Sequence, residues 1–186
     1  MTTTLINIMS SKPIRFVVKD GWLRLSSRGL TIQECLNPTI MNTVQHVEIR
    51  WTGIDDKFTS QFALFLKGCM NLMSIDLADN YIGDSGCKEL AESLSGLMKL
   101  EKIFLSGNRL GDLGFAIISS MLIANSSVTE LDLSGNKICK TGMQALGSSL
   151  RENKSLQILK LDELFFSDDG AGENVKNRNR GFFAFG

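Results

Sequence analysis

The chain has 186 residues, 43% of them hydrophobic and 22% charged, which suits one folded unit with a continuous core. Its 20 basic and 20 acidic side chains cancel, so no whole-molecule field draws in nucleic acid or a membrane surface. No apolar run reaches the roughly 18 residues a membrane-spanning helix needs, so no transmembrane segment is expected. Cys35, Cys69, Cys87 and Cys139 lie far apart and form no C-x-x-C pair. They read as reduced thiols of an intracellular protein, cytoplasmic and in some settings nuclear, rather than as a disulfide framework.

Residues 1–11 show no periodicity and read as a disordered lead. Lys12, Arg15 and Lys19 without a neighbouring acid give this end a presequence-like charge, but the strand-like run Ile14–Val18 argues for folded structure. Pro13–Leu25 predicts two short strands around Asp20-Gly21, a pair favoured in hairpin turns. Gly29–Met41 carries Leu30, Ile32, Cys35, Leu36 and Ile40 in a loosely helical pattern interrupted by Pro38. Residues 1–43 are therefore assigned to a lead and an N-terminal cap.

One frame then repeats. Leu72, Ile75, Leu77, Asn80 and Ile82 recur 28 residues later as Leu100, Ile103, Leu105, Asn108 and Leu110, and 28 later again as Val128, Leu131, Leu133, Asn136 and Ile138. An atypical copy precedes them (Val44, Val47, Ile49, Thr52, Ile54), with Thr52 at the asparagine position. Another follows (Leu156, Leu159, Leu161, Leu164, Phe166), with Leu164 there. Each full frame leads to a glycine, Gly86, Gly114 or Gly142. Four and eight residues beyond it, Leu90/Leu94, Ile118/Leu122 and Leu146/Leu150 mark the apolar stripe of a helix. Gly170 holds the same place in the last frame, but no amphipathic helix follows it. The expected division is an array of about five 28-residue units over 44–170 and a C-terminal tail or improvised cap over 171–186. Phe182, Phe183 and Phe185 would dock on the last repeat or on a second copy of the chain.

A Leu-x-Leu strand projects both leucines to one side and cannot bury them alone. Stacked copies share one core, and helices wider than strands bend the stack. The expected fold is α/β, a leucine-rich-repeat solenoid: a short right-handed horseshoe with parallel strands on the concave face and helices on the convex face. Asn80, Asn108 and Asn136 fall where the chain leaves the strand, and an amide there both donates to and accepts from neighbouring turns.

The words Asn80-Tyr81-Ile82-Gly83-Asp84-Ser85-Gly86 and Asn108-Arg109-Leu110-Gly111-Asp112-Leu113-Gly114 make the array, over about residues 44–170, resemble the ribonuclease-inhibitor class of leucine-rich repeats. Asn136-Lys137-Ile138-Cys139-Lys140-Thr141-Gly142 departs from them by lacking Gly-Asp. The class also includes nucleotide-sensing immune receptors, tropomodulin-like actin cappers and activators of the Ran GTPase. The resemblance implies an intracellular, non-enzymatic horseshoe that binds another protein along its strands. It names neither that protein nor the oligomeric state.

By register, the outward column between the paired apolar residues is Glu48, Asp76, Phe104, Asp132 and Lys160. Beyond it come Arg50, Ala78, Ser106, Ser134 and Asp162, then Trp51, Asp79, Gly107, Gly135 and Glu163. Aspartate is common filler in Leu-Asp-Leu, so the departures carry more information: Phe104 among acids, and Trp51 and Arg50 as residue types enriched in binding hot spots. The expected partner-binding patch is Arg50, Trp51, Asp76, Asp79, Phe104 and Asp132. The competing reading has Phe104 packed laterally and Trp51 closing the cap.

Catalytic, metal-binding and cofactor motifs are missing. The single histidine, His46, has no sequence-local partner and reads as a surface strand residue. Gly83–Lys88 is a repeat turn rather than a phosphate loop. Asp55-Asp56 and Asp168-Asp169 read as solvated turn residues, and the sequon matches at Asn125 and Asn153 carry no meaning without secretion. Cys87 and Cys139 fall near helix starts, where a thiol pKa can drop, although core or boundary packing is the simpler reading. Lys176, Arg178 and Arg180 are too few to support nucleic-acid binding. The alternative function is regulation of a small GTPase in the manner of the Ran activators, with Arg109 as the residue offered to the partner's active site.

Overall fold

The structure, a computed structural model, describes residues 15–26, 30–31, 36–167, 174–176 and 182–184. Residues 1–14 with Lys12, Cys35, Asp168-Asp169, Gly170, Arg178, Arg180 and Phe185 lie outside those residues.

Strands β1 (Arg15–Lys19) and β2 (Trp22–Ser26) form the hairpin expected from Asp20-Gly21, both of which take positive φ (51° and 79°). That geometry matches the twist of the strands it joins. The helical reading of 29–41 is corrected. Leu30–Thr31 is a short strand, β3, paired antiparallel with β1. Pro38 starts helix α1 (Pro38–Met41) instead of interrupting one. Its missing N–H costs nothing at a helix's first position, and Asn37 caps the turn by accepting from the Thr39 N–H at 2.8 Å.

The repeats follow as β4 (His46–Glu48), α2 (Asp56–Leu66), β5 (Ser74–Asp76), α3 (Asp84–Leu94), β6 (Lys102–Phe104), α4 (Asp112–Ala124), β7 (Glu130–Asp132), β8 (Lys137–Ile138), α5 (Lys140–Glu152) and β9 (Ile158–Lys160). After them come β10 (Phe165–Ser167), β11 (Asn174–Lys176) and β12 (Phe182–Ala184). Strands β2, β4, β5, β6, β7 and β9 run parallel in one sheet, with β1 and β3 beyond β2 and β12 antiparallel on β9. A small second sheet joins β8 parallel to β10, and β10 antiparallel to β11. The chain is thus an α/β leucine-rich-repeat solenoid, and no helix among the described residues is long and apolar enough to cross a membrane.

Register explains the core. Leu23, Val47, Ile75, Ile103, Leu131 and Leu159 are direct partners across the parallel strands, and each is at most 1% exposed. Fully burying such a side chain contributes about 1.5–3 kcal/mol. At the N-terminal end the core turns aromatic: Phe16 of β1 lies 6.2 Å from Phe58 and 6.0 Å from Phe62 of α2, and Phe62 lies 5.5 Å from Phe65. These rings fill the space between the hairpin and the first repeat.

Three side-chain ladders bind one repeat to the next. The buried Asn80 amide donates to the carbonyls of Ile49 (2.7 Å) and Leu77 (2.9 Å), and its oxygen accepts from the N–H groups of Thr52 and Ile54. Asn108 and Asn136 repeat this arrangement on Leu77/Leu105 and Leu105/Leu133, accepting from Ile82 and Leu110. The second ladder runs along the helix starts. Asp56 accepts from the Gly83 N–H (2.6 Å), Asp84 from Gly111 and Gly114 (2.7 and 2.9 Å), and Asp112 from Cys139 (2.6 Å). A Cβ at Gly114 or Gly142 would sit 2.6 or 2.7 Å from the Asp84 or Asp112 carboxylate, which is why glycine recurs there. The reading of Asp55-Asp56 as solvated turn residues is therefore corrected, since Asp55 also caps α2 by accepting from the Phe58 N–H. A third ladder explains the sequon matches. Asn125, 1% exposed, accepts from the Val128 N–H and donates to the Ser95 carbonyl of the preceding repeat, and Asn153 does the same with Leu156 and Leu122.

Candidate functional site

Side chains alternate across a strand, so each repeat places two outward residues on the concave sheet. The pairing confirms the column Glu48–Asp76–Phe104–Asp132–Lys160 and adds Arg24 of the hairpin. It also creates a second outward column that the Leu-x-Leu pattern does not flag: Trp22, His46, Ser74, Lys102, Glu130 and Ile158. In the repeats these residues immediately precede the second apolar position of each frame, so the signal for them was the two-residue period itself.

The predicted patch separates into two parts. Arg50, Asp76 and Asp79 meet: the Arg50 guanidinium lies 3.6 Å from the Asp76 carboxylate and 3.3 Å from that of Asp79. Burial raises the Asp76 pKa above its ordinary value, against the opposing pull of the Ala78 N–H and the Arg50 charge. Phe104 is register partner to Asp76 on one side and Asp132 on the other, and is partly buried. Lys160 reaches back across β7 to place its ammonium 5.5 Å from the centre of the Phe104 ring.

Trp51 stands apart from the strand face. It takes φ 55° in the turn after β4, in one column with Asp79 (59°), Gly107 (64°), Gly135 (67°) and Glu163 (51°). The chain bends out of every repeat at this left-handed position, which favours glycine. The indole is 67% exposed, so it does not close the cap. Ala78, placed with the outward residues, is buried because the turn folds over it. Its N–H donates to Asp76 and its carbonyl accepts from Asn80.

Charge on the face is organised around Glu130. Lys160 and Lys102 donate to its carboxylate at 2.8 and 3.3 Å. Burial pushes the Glu130 pKa up, but the two lysines outweigh it and hold the carboxyl below the ordinary range. At the N-terminal end the Trp22 ring stacks on His46 at 4.4 Å and on the Arg24 guanidinium at 4.4 Å. His46 Nδ1 lies 2.8 Å from the Ser74 hydroxyl. Arg24 pairs with Glu48 at 2.6 Å.

Arg109 lies off this face. Its guanidinium stacks 4.3 Å above the Tyr81 ring on the loop rim. Cys87 is buried, and burial together with Asp84 and Asp56 pushes its thiol up to about 12, opposite to the helix-start expectation. Among the described residues, no group of three or more histidine, cysteine or acidic side chains is placed to hold a metal ion.

The leucine-rich-repeat family model matches residues 68–91 and 124–147, two stretches offset by 56 residues, twice the repeat period. No curated protein sequence matches the chain. Among solved structures, leiomodin-1 actin-binding site 2 superposes with a TM-score of 0.61 at 19% identity, over 76% of this chain and 79% of that one. A tropomodulin C-terminal domain from Caenorhabditis elegans superposes with a TM-score of 0.51 at 10% identity, over 67% of this chain and 77% of that one. At these identities the likeness is one of fold. Taken with the two matched stretches, the 28-residue register and the asparagine ladder, it shows a leucine-rich-repeat fold whose repeats are similar to the ribonuclease-inhibitor-like class.

Proposed function

We propose that the chain is a non-catalytic protein-interaction module, an intracellular adaptor, inhibitor or scaffold, that binds another protein on its concave strand face. The observation that carries this reading is the contrast between a repeated interior and a varied outer column, Glu48–Asp76–Phe104–Asp132–Lys160, on strands in fixed register. The patch assigned to the partner is Arg50, Asp76, Asp79, Phe104 and Asp132, with Trp51 on its rim. The segment up to residue 43 caps one end and the tail from 171 the other. The pairing of β2 with β4 and of β12 with β9 supports those assignments. Actin is a reasonable first partner to try, because one protein of like fold is named for binding it.

The test is capture of partners from cell lysate, and of purified actin monomer, by wild type, Phe104→Arg, Asp132→Lys and the helix-face control Glu92→Lys. Partners kept by the control and lost by both concave variants, all with wild-type melting curves, support the reading. Capture that survives both concave changes overturns it. The GTPase-regulator alternative gains nothing from the geometry, since Arg109 is already engaged with Tyr81.

A further inference from the structure

We propose that the middle of the concave sheet receives a cationic side chain, arginine or lysine, of a protein partner, seated over the Phe104 ring between Asp76 and Asp132. This deepens the concave-face reading and rests on it. The first support is charge complementarity. Among the described residues, the six parallel strands and the turn positions up to the left-handed residue carry four cations (Arg24, Arg50, Lys102, Lys160) and seven carboxylates (Glu48, Asp76, Asp79, Glu130, Asp132, Asp162, Glu163). Every one of those cations is already paired: Arg24 with Glu48, Arg50 with Asp76 and Asp79, and both lysines with Glu130. Among the described residues no cation is paired with Asp132, so the uncompensated charge beside the ring is negative.

The second support is that the ring already receives a cation. The Lys160 ammonium stands 5.5 Å from the Phe104 centroid while tethered to Glu130 at 2.8 Å. A cation within about 6 Å of an aromatic face is attracted by the ring's quadrupole. Lys160 thus occupies the place as an internal occupant whose shorter contact is with Glu130. A partner's guanidinium would bring the same attraction, stack flat on the ring, and place N–H donors toward the carboxylates on the two flanking strands, which lie roughly 4.8 Å to either side. Asp76 and Asp132 each use one oxygen locally, on the N–H groups of Ala78 and Ser134, which fixes their carboxylates in position.

The experiment is a fluorescence-anisotropy titration at low ionic strength. It uses two labelled dodecapeptides, one repeating Gly-Arg-Ser and one repeating Gly-Glu-Ser, with melting curves taken for every variant. The arginine peptide is expected to bind wild type, and Asp132→Asn and Phe104→Leu should each weaken it by about three- to tenfold. Lys160→Ala frees the ring and should tighten it by about two- to threefold, whereas Lys140→Ala, the same charge change at a helix start, should leave it unchanged. Arginine-peptide binding insensitive to Asp132→Asn and Phe104→Leu, or weakened by Lys160→Ala, overturns the proposal. A face that prefers the glutamate peptide, with binding lost in Lys102→Ala, also overturns it while leaving the concave surface as the docking face. Peptide binding indifferent to every concave change overturns both.

Discussion

The turns and helix starts of this solenoid are monotonous, and its concave face is not. Asparagine occupies 80, 108 and 136, and aspartate 56, 84 and 112, with the same atoms bonded in each repeat. Four residues before the asparagine position, on the strands, the outward column reads glutamate, aspartate, phenylalanine, aspartate, lysine. A position that must satisfy its neighbour's backbone has few chemical solutions, so it repeats. A position facing solvent has many, so it varies from repeat to repeat. The ladders also show where repetition ends. Lys140 stands where aspartate would accept from the next repeat, and Leu164 where the next asparagine would stand, just before the chain turns to β10, β11 and β12.

If the two regions divide stability from recognition in this way, the largest losses of stability belong to the ladders. Asn108→Ala leaves the buried Ile82 N–H without its acceptor and removes one of two amide donors from each of the Leu77 and Leu105 carbonyls, which keep Asn80 and Asn136. A buried group left unpaired costs about 1–3 kcal/mol, so a loss of about 2 kcal/mol in urea unfolding is expected. Binding by the folded fraction should be unchanged. Wild-type stability with impaired binding would reverse the roles assigned to the two regions.

Gly114→Ala comes next. The new Cβ would sit 2.6 Å from the Asp84 carboxylate and 3.2 Å from Leu110, so Asp84 must move off the two N–H groups it serves. Overpacking of this kind costs about 1–3 kcal/mol. Gly147→Ala, where a Cβ meets nothing within 4 Å, is the control. It should be neutral or slightly stabilising, by up to about 1 kcal/mol.

Phe104→Ala probes the other region. A fully buried phenylalanine typically costs about 3–5 kcal/mol on truncation. The partly buried ring on the sheet surface should cost about 1 kcal/mol while abolishing partner capture. A core-sized loss in the melt would place the ring in the fold's own packing and remove it from the binding patch.

Fold and site were unequally legible. The 28-residue frame fixes strand register, and register predicts both the buried column and Glu48–Asp76–Phe104–Asp132–Lys160. The aspartate ladder was visible as Gly83-Asp84 and Gly111-Asp112, but its purpose was not, because its partners lie 27 and 30 residues away. Trp51 was misplaced for a different reason: residue type pointed to the face, while backbone conformation put it in the left-handed turn position. Pro38 shows the same limit, since a helix breaker and a helix starter are the same residue in different company.

The smallest expected effects are pH-dependent, and the concave sheet supplies two carboxylates of opposite sign. Glu130, pulled down by Lys160 and Lys102 against its burial, contributes stability that is complete above the unfolded glutamate value of about 4.3 and is lost as pH falls through its lower folded value. Glu130→Gln should therefore destabilise at neutral pH, by about 1 kcal/mol for a partly exposed ion-pair network, with the difference closing below about pH 4. Asp76 is shifted upward by burial, so its contribution is complete below the unfolded aspartate value of about 3.9 and is lost as pH rises through its folded value. Asp76→Asn should accordingly be neutral or stabilising at pH 7, the more so as salt screens the 3.6 Å approach of Arg50, and should lose that advantage in acid. Urea unfolding of the two variants across pH 3 to 8 checks both signs together. Parallel profiles would mean that Lys102 and Lys160 do not hold Glu130 differently from the way Arg50 holds Asp76. The division of the face into a satisfied lysine-clamped acid and a desolvated acid beside Phe104 would then fall.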